Sequence, residues 1–361
     1  MKQTRIQTTI AHWLHRQWQR SGLFAWLLSP FACIATGYVF AKRMWYELGL
    51  GDVYRAPVPV VIVGNLYVGG TGKTPVVIAL VKKLQALGWH PGLISRGYGA
   101  KLDSSARVGQ GELDASVMGD EPALLAEQTG AWIGVHPNRR LACQALLKAD
   151  PAIDIIVSDD GLQHLALGRD IEIVVQDARG VGNGWLIPAG PLREPANRLK
   201  TVDVLITRQA TPLTPSYSAA RTPSVDQRPL ETAMWLKIVY IQSLDKKIKL
   251  SVNEFINLQE NRHITAIAGI SEPDRFFKSL AESGIVCQKT IGLPDHYPFE
   301  ASLFAQQTTD LILITAKDAT KCSAVRDARI WVVIAEAVFA EDAWLQQISA
   351  RLGQRRQSSP D

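Results

Sequence analysis

From residue 58 onward the chain alternates short apolar runs with longer stretches whose apolar positions recur every three to four residues. Strand patterning fits 58–63, 92–95, 132–135, 153–158, 171–176 and 202–207, and helical patterning fits 73–87, 121–128 and 138–148. The short runs are apolar throughout rather than alternating, so they read as strands buried on both faces. Strand–helix alternation of this kind predicts an α/β fold with a parallel sheet covered on both sides. In the helix over 73–87, Val76, Val77, Leu80, Val81, Leu84 and Leu87 form the stripe expected to be buried. Residues 209–229 turn Pro-, Thr- and Ser-rich with no apolar period, which predicts a linker or exposed excursion. Alternation then resumes, with strands expected over 235–241, 264–268, 311–315 and 330–334 and helices over 274–282 and 342–352. The expected organisation is an N-terminal helical arm over 1–50, an α/β lobe over 51–208, a linker over 209–230, a second, smaller α/β lobe over 231–352 and a flexible tail over 353–361.

The first fifty residues follow a different pattern. Ile6, Ile10, Trp13, Leu14 and Trp18 share one helical face, while Arg5, His12, His15, Arg16 and Arg20 lie mostly around the other. This is the pattern of a basic helix lying in a membrane interface. Residues 21–41 carry no charge, and Lys42 and Arg43 close the stretch. Its length meets the spanning threshold of ~20 residues, although Pro30 and several polar residues weaken it as a span. Trp13, Trp18, Trp26 and Trp45 place four of the ten tryptophans here, as interfacial anchoring favours. A cleaved signal peptide is not expected, because the apolar segment starts late and no small-residue cleavage site follows it. The expectation is a membrane-attached N-terminus, lying on the bilayer or crossing it once; the alternative is a helical hairpin packed on the first lobe.

Composition narrows the class. The 361 residues are enough for two cores, and a hydrophobic content of 47% excludes general disorder. The cysteines Cys33, Cys143, Cys287 and Cys322 are too far apart to suggest a disulfide framework or a metal knuckle, which fits a reducing compartment. The net charge of +5 suits an acidic membrane surface or a phosphorylated substrate, and no nucleic-acid-reading motif is present.

The most specific chemistry lies between the first strand and the first helix, in "GNLYVGGTGKTP". A strand, then glycines, then Lys-Thr opening a helix is the order of a phosphate-binding loop. Gly69, Gly70, Thr71 and Gly72 turn backbone N–H groups inward around an anion, and the helix N-terminus adds its dipole. Lys73 is placed to reach the β- and γ-phosphates and Thr74 to bind Mg²⁺. The usual G-x-x-x-x-G-K-[ST] spacing requires glycine where Tyr67 stands. The shifted glycines are similar to the variant loop of ParA-like ATPases, which carries a lysine at the position of Val68.

Acidic residues cluster at the ends of other elements. Asp159 and Asp160 follow an apolar run, at the strand edge where open α/β sheets bind ligands, and read as a Walker-B pair holding Mg²⁺ directly or through water. Asp120 and Glu121 open a helix, where capping explains them as well as chemistry does. Asp177 and Arg179 lie beside a glycine-rich loop, and Arg193 in "GPLREP" reads as a phosphate clamp or a surface ion pair. Arg96 and Tyr98 in "SRGYG" suit a phosphosugar or simply a tight turn, and Asp295 and His296 sit in a Pro-bounded loop.

Together, "GNLYVGGTGKTP", "SRGYG", "GDEP", "SDDGLQH", "GPLREP", "DHY" and "TAKDATK", running from Gly64 to Lys321, resemble the tetraacyldisaccharide 4′-kinase (lipid A 4′-kinase) family. The resemblance covers most of the chain and implies an ATP-dependent lipid kinase of P-loop NTPase type. Such an enzyme phosphorylates the 4′-hydroxyl of a tetraacyldisaccharide 1-phosphate to form lipid IVA, at the cytoplasmic face of the bacterial inner membrane. It implies ATP held by 69–74, and Mg²⁺ served by Thr74, Glu121, Asp159 and Asp160. It also implies Asp120 as base paired with His296 from the other lobe, Arg193 on phosphate, and Arg96 with Tyr98 on the disaccharide. Pairing Asp120 with His296 is expected to require closure of the two lobes. A switch ATPase would use the same loop in a nucleotide-dependent dimer. A GTPase would need an N-K-x-D motif that "TAKD" does not supply, and a membrane scaffold would leave Lys73, Asp120 and Asp159 without purpose.

Overall fold

The computed structural model describes residues 14, 16–98, 104–211 and 229–358. Most of the expected basic interfacial helix, including Ile6, Ile10 and Trp13, and most of the Pro-rich excursion lie outside the described residues. The strands are β1 (Val60–Gly64), β2 (Pro91–Ser95), β3 (Arg107–Gly109), β4 (Ile133–Val135), β5 (Ile155–Asp159), β6 (Ile171–Asp177) and β7 (Val204–Arg208). They continue with β8 (Leu230–Ser243), β9 (Lys249–Ser251), β10 (Ile264–Ala268), β11 (Lys289–Gly292), β12 (Leu311–Thr315) and β13 (Ile330–Phe339). All belong to one sheet in the order β11-β10-β12-β13-β8-β7-β6-β1-β5-β2-β4-β3, with β9 pairing β8 off this path. It is mostly parallel; β13·β8, β8·β9 and β3·β4 are antiparallel.

Buried strands explain the apolar runs. Along β1, Val61 and Val63 enter one core while Val60 and Ile62 enter the core on the opposite face. Along β12, Leu311 and Leu313 face one core and Ile312 and Ile314 another. Each such side chain contributes about 1.5–3 kcal/mol relative to exposure. The cores of the first half cover β1–β7 and those of the second half cover β8 and β10–β13. The halves are continuous through β8, where Leu230–Met234 pair parallel with β7 and Met234–Ser243 pair antiparallel with β13. The boundary expected at residue 231 thus falls inside a strand shared by both halves.

Three local differences from the sequence reading have physical reasons. Leu87 does not extend the buried stripe: it is the C-cap of the helix Lys73–Ala86 and is 53% exposed. The strand expected over 235–241 is longer, because 230–234 joins β7 although its apolar pattern is broken by Glu231 and Thr232. The last helix, Ala343–Ser358, continues past Leu352, where a flexible tail was expected; no proline interrupts it. Its Trp344, Leu345, Ile348 and Leu352 pack on the core of the first half, beside Val77 and Val81 of the loop-borne helix.

The uncharged N-terminal stretch forms the helix Leu23–Glu47, with mean hydropathy 1.7 over its most apolar window and only 11% of that window buried. Ala35 and Val39 pack on the first half, Lys42 donates to the Gln163 carbonyl, and Arg43 pairs with Glu194. Trp26, Leu27, Phe31, Ile34 and Tyr38 are exposed.

Candidate active site

The glycine loop opens at the C-terminal end of β1, where every strand residue is buried and the chain must leave the sheet. Gly72 caps the following helix at φ 93°, and a Cβ there would stand 3.0 Å from Arg208 Cδ and from Met234 Cε. Left-handed backbone and lack of space both require glycine. Tyr67 sits outside the turn proper. It is 2% exposed, bridges Leu192, and its ring lies 4.4 Å beneath the Arg179 guanidinium. Arg179 also donates to the Gly70 carbonyl at 2.9 Å. Tyr67 therefore forms a wall supporting the loop and leaves the cradle open. Lys73 folds back over the strand edge, donating to Asn65 Oδ1 at 2.9 Å with Asp160 Oδ1 at 3.3 Å.

The adjacent aspartates behave oppositely. Asp159 ends β5, is 2% exposed, and its Oδ1 has no hydrogen-bond partner. Burial, and then the Glu121 carboxylate, push it up to about 7. Asp160 turns outward at φ 49° and is gripped by Arg193 Nη1 at 3.0 Å and by Lys73. Burial raises its carboxyl, but Lys73 and Arg193 outweigh burial and hold it below the usual range. A buried carboxylate oxygen without a donor is a position that a hard cation satisfies. Among the described residues no three His, Cys, Asp or Glu side chains converge as a complete metal cage. A cation here would take few protein ligands and fill its shell with phosphate and water, as magnesium does in nucleotide sites.

The opposite side of the cleft joins a helix of the first half to loops of the second. Asp120 is the first residue of the helix Asp120–Thr129, where the dipole favours a carboxylate. The preceding Gly119 has φ 96°, and a Cβ there would meet the Tyr98 carbonyl at 3.0 Å. Asp120 Oδ2 lies 3.0 Å from His296 Nδ1. Burial raises the Asp120 carboxyl, but the His296 hydrogen bond and the Lys321 charge prevail and the net shift is downward. Against this ionised acceptor, His296 Nδ1 is the donor. The two residues, from opposite halves, are already in contact without further closure. Tyr98 stands by the same histidine, ring centroids 5.3 Å apart.

A cleft of about 1340 Å³ joins these elements, lined by the glycine loop, Arg96, Tyr98, Glu121, Asp159, Asp160, Arg193 and His296. Sequence reasoning singled out all of these. Arg193 lies on Asp160 as an ion pair, and Glu121 on Lys317 Nζ at 3.0 Å. Three further contributors are not singled out by sequence: Asn65, which braces the loop together with Arg179, and Lys317 and Lys321, which reach the Asp120–Glu121 pair from the other half. The string "TAKDATK" carries both lysines, Lys317 in the helix Ala316–Ala319 and Lys321 in the turn after it.

Residues 24–353 match a family model described as Tetraacyldisaccharide-1-P 4′-kinase. A tetraacyldisaccharide 4′-kinase of Bordetella parapertussis is 49% identical over 343 residues, covering 95% of this chain and 97% of that protein. One from Polynucleobacter asymbioticus is 42% identical over 353 residues, covering 92% and 94%. The fold is similar to the crystal structure of LpxK from Aquifex aeolicus, described as its "apo" form in complex with ATP. That likeness has a TM-score of 0.75 at 24% identity, over 91% of this chain and 99% of the other.

Proposed function

The chain belongs to the tetraacyldisaccharide-1-P 4′-kinase family, and from that premise we propose that it transfers the γ-phosphate of ATP to the 4′-hydroxyl of a tetraacyldisaccharide 1-phosphate, forming lipid IVA. The observation that carries this reading is the Asp120–His296 contact, in which an ionised carboxylate meets a histidine that lines the same cleft as the glycine loop and Lys73.

In this mechanism the loop N–H groups and Lys73 hold the β- and γ-phosphates. Asp120 takes the proton of the 4′-hydroxyl as its oxygen bonds to the γ-phosphorus, and the bond to the β–γ bridging oxygen breaks, releasing ADP. His296 orients Asp120 through the Nδ1 hydrogen bond. Mg²⁺ neutralises charge on the phosphates when bound. Asp159, with its unpartnered oxygen, and the Thr74 hydroxyl fit it best, with Asp160 and Glu121 serving its outer positions. Arg193 would serve the phosphate and Arg96 with Tyr98 the disaccharide, all three lining the same cleft.

The two halves of the sheet act as lobes, with residues 51–208 binding nucleotide and 231–352 supplying the second wall. The exposed apolar side of the helix Leu23–Glu47 attaches the enzyme, peripherally or as one span, to the cytoplasmic face of the inner membrane, where ATP and acylated substrate meet. Co-flotation with liposomes that persists when Leu27, Phe31, Ile34 and Tyr38 are all changed to Gln contradicts this attachment.

Incubation with γ-labelled ATP, with and without the acylated disaccharide, tests the activity. The kinase reading expects label in the lipid and little release without it. Equal release of inorganic phosphate in both samples, with unlabelled lipid, identifies a switch ATPase instead.

A further inference from the structure

We propose that Lys317 and Lys321 are positioning residues for phosphoryl transfer, fastening the Asp120–Glu121 pair across the cleft so that Asp120 faces the acceptor hydroxyl. The proposal rests on the kinase reading and extends it to a string, "TAKDATK", to which that reading gives no role.

Its basis is an anchored chain of contacts. β12 ends at Thr315, whose side chain caps the short helix Ala316–Ala319 by accepting from the Asp318 N–H at 3.1 Å. Asp318 is fully buried. Its Oδ2 accepts from the Gly269 N–H at 3.0 Å and from the Thr315 hydroxyl at 2.7 Å, and its Oδ1 accepts from Lys321 Nζ at 3.1 Å. The Lys321 ammonium is therefore fixed by a carboxylate that is itself tied to main chain. It is 9% exposed, lies 5.1 Å from the centroid of the Phe299 ring, and stands 3.6 Å from Asp120 Oδ2.

One turn earlier, Lys317 Nζ lies 3.0 Å from Glu121 Oε1 and 3.2 Å from Asp295 Oδ1, beside His296. Lys317 lies in the short helix Ala316–Ala319 and Lys321 in the turn that follows it. The two meet adjacent carboxylates at the start of the helix Asp120–Thr129, and each carboxylate has its own lysine. Surface ion pairs are worth little, but these lysines are largely buried and hydrogen-bonded, and removing Lys321 strips a charge from Asp120 and leaves it with its His296 hydrogen bond. Asp120 is thus held from two sides of the second half, by His296 and by Lys321. Neither lysine touches the reacting atoms in this arrangement; both act through the carboxylates.

The test measures label transfer from ATP to the acylated disaccharide by the full-length protein carrying Lys321→Met, Lys321→Arg or Lys317→Met. Lys321→Met is also combined with Asp120→Asn, and Lys317→Met with Glu121→Gln. A positioning role predicts that Lys321→Met lowers kcat about tenfold or more while the KM for ATP stays within about twofold. Lys321→Arg should recover most of that loss, and Lys321→Met should cost less than about twofold in the Asp120→Asn background. Wild-type kcat in Lys321→Met, or the same loss in both backgrounds, overturns the proposal. Thermal melts accompany each variant. Should Lys321→Met not fold, Lys317→Met against Glu121→Gln decides by the same criterion, since Lys317 does not touch the buried Asp318. Failure of the wild type to label the lipid defeats the kinase reading itself, whereas labelling by the wild type with indifferent lysine variants defeats only the positioning role.

Discussion

The two walls of the cleft are built by different means. The first is one contiguous segment, β1 through the glycine loop into the helix Lys73–Ala86, and its turn is built largely of glycine backbone. The second is assembled from side chains on separate loops, with Asp295 and His296 following β11 and Lys317 and Lys321 following β12. A wall made of backbone needs only glycines and a turn, and tolerates Tyr67 as long as that side chain points away. A wall made of side chains depends on how far each residue is held by its neighbours, and a single substitution can move it.

The largest expected effect strikes the first wall at its one essential side chain. Lys73→Ala removes the charge that meets the transferring phosphoryl group, with an expected loss of kcat of order 10²-fold or more. Near wild-type turnover in that variant contradicts the phosphate-loop assignment.

Tyr67 sharpens the contrast between main chain and side chain. Tyr67→Gly restores the usual glycine but deletes a buried aromatic under Arg179, so the melting temperature should fall, by analogy with buried aromatic truncations costing about 3–5 kcal/mol. Tyr67→Phe, which keeps the ring and loses only the hydroxyl that accepts from Gln19, should melt close to wild type. A stable Tyr67→Gly protein indicates that the ring supports nothing.

A smaller effect separates the paired aspartates. The Asp159 carboxyl is raised to about 7 in the folded protein, against about 3.9 in an unfolded chain. Between those values the native state retains a proton that the unfolded chain has released. The stability this contributes is present at low pH and is lost as pH rises towards 7. In EDTA, the melting-temperature advantage of Asp159→Asn over wild type should therefore grow from pH 4 to pH 8. An advantage that does not vary with pH removes the account of Asp159 as a strained carboxylate awaiting a cation.

The difference between the walls also explains what could be read in advance. β10 and β12 match their expected bounds because both are short, apolar but for one threonine each, and buried on two faces. β3 and β11 are short and partly exposed, and leave no periodic trace. The first five residues of β8 carry Glu231 and Thr232 among apolar neighbours, so the strand expected over 235–241 does not reveal the extension that makes the two halves one sheet. At the site, the glycine loop is legible from the order of strand, glycines, Lys-Thr and helix, although Tyr67 breaks the usual spacing. The Asp120–His296 pair followed only from the family resemblance, because nothing local joins residues on opposite halves. Lys317 and Lys321 were visible in a quoted string, yet their partners lie across the cleft, and no spacing within one segment reveals that. Asn65 lies inside the quoted loop string, but no spacing marks its hydrogen bond to Lys73, and Arg179 stands out beside a glycine-rich loop without showing its reach to Gly70.

The claim that the two walls form one catalytic unit is tested most directly by a double-mutant cycle on the residues that touch across them. Asp120→Ala, His296→Ala and the double variant are compared for kcat with acylated disaccharide at saturating ATP, alongside ATP affinity. Each single change should lower kcat strongly with little effect on ATP binding. The double change should cost far less than the product of the two losses, because residues acting together are not additive. Losses that multiply would show that Asp120 and His296 act separately, and would contradict the single-site account.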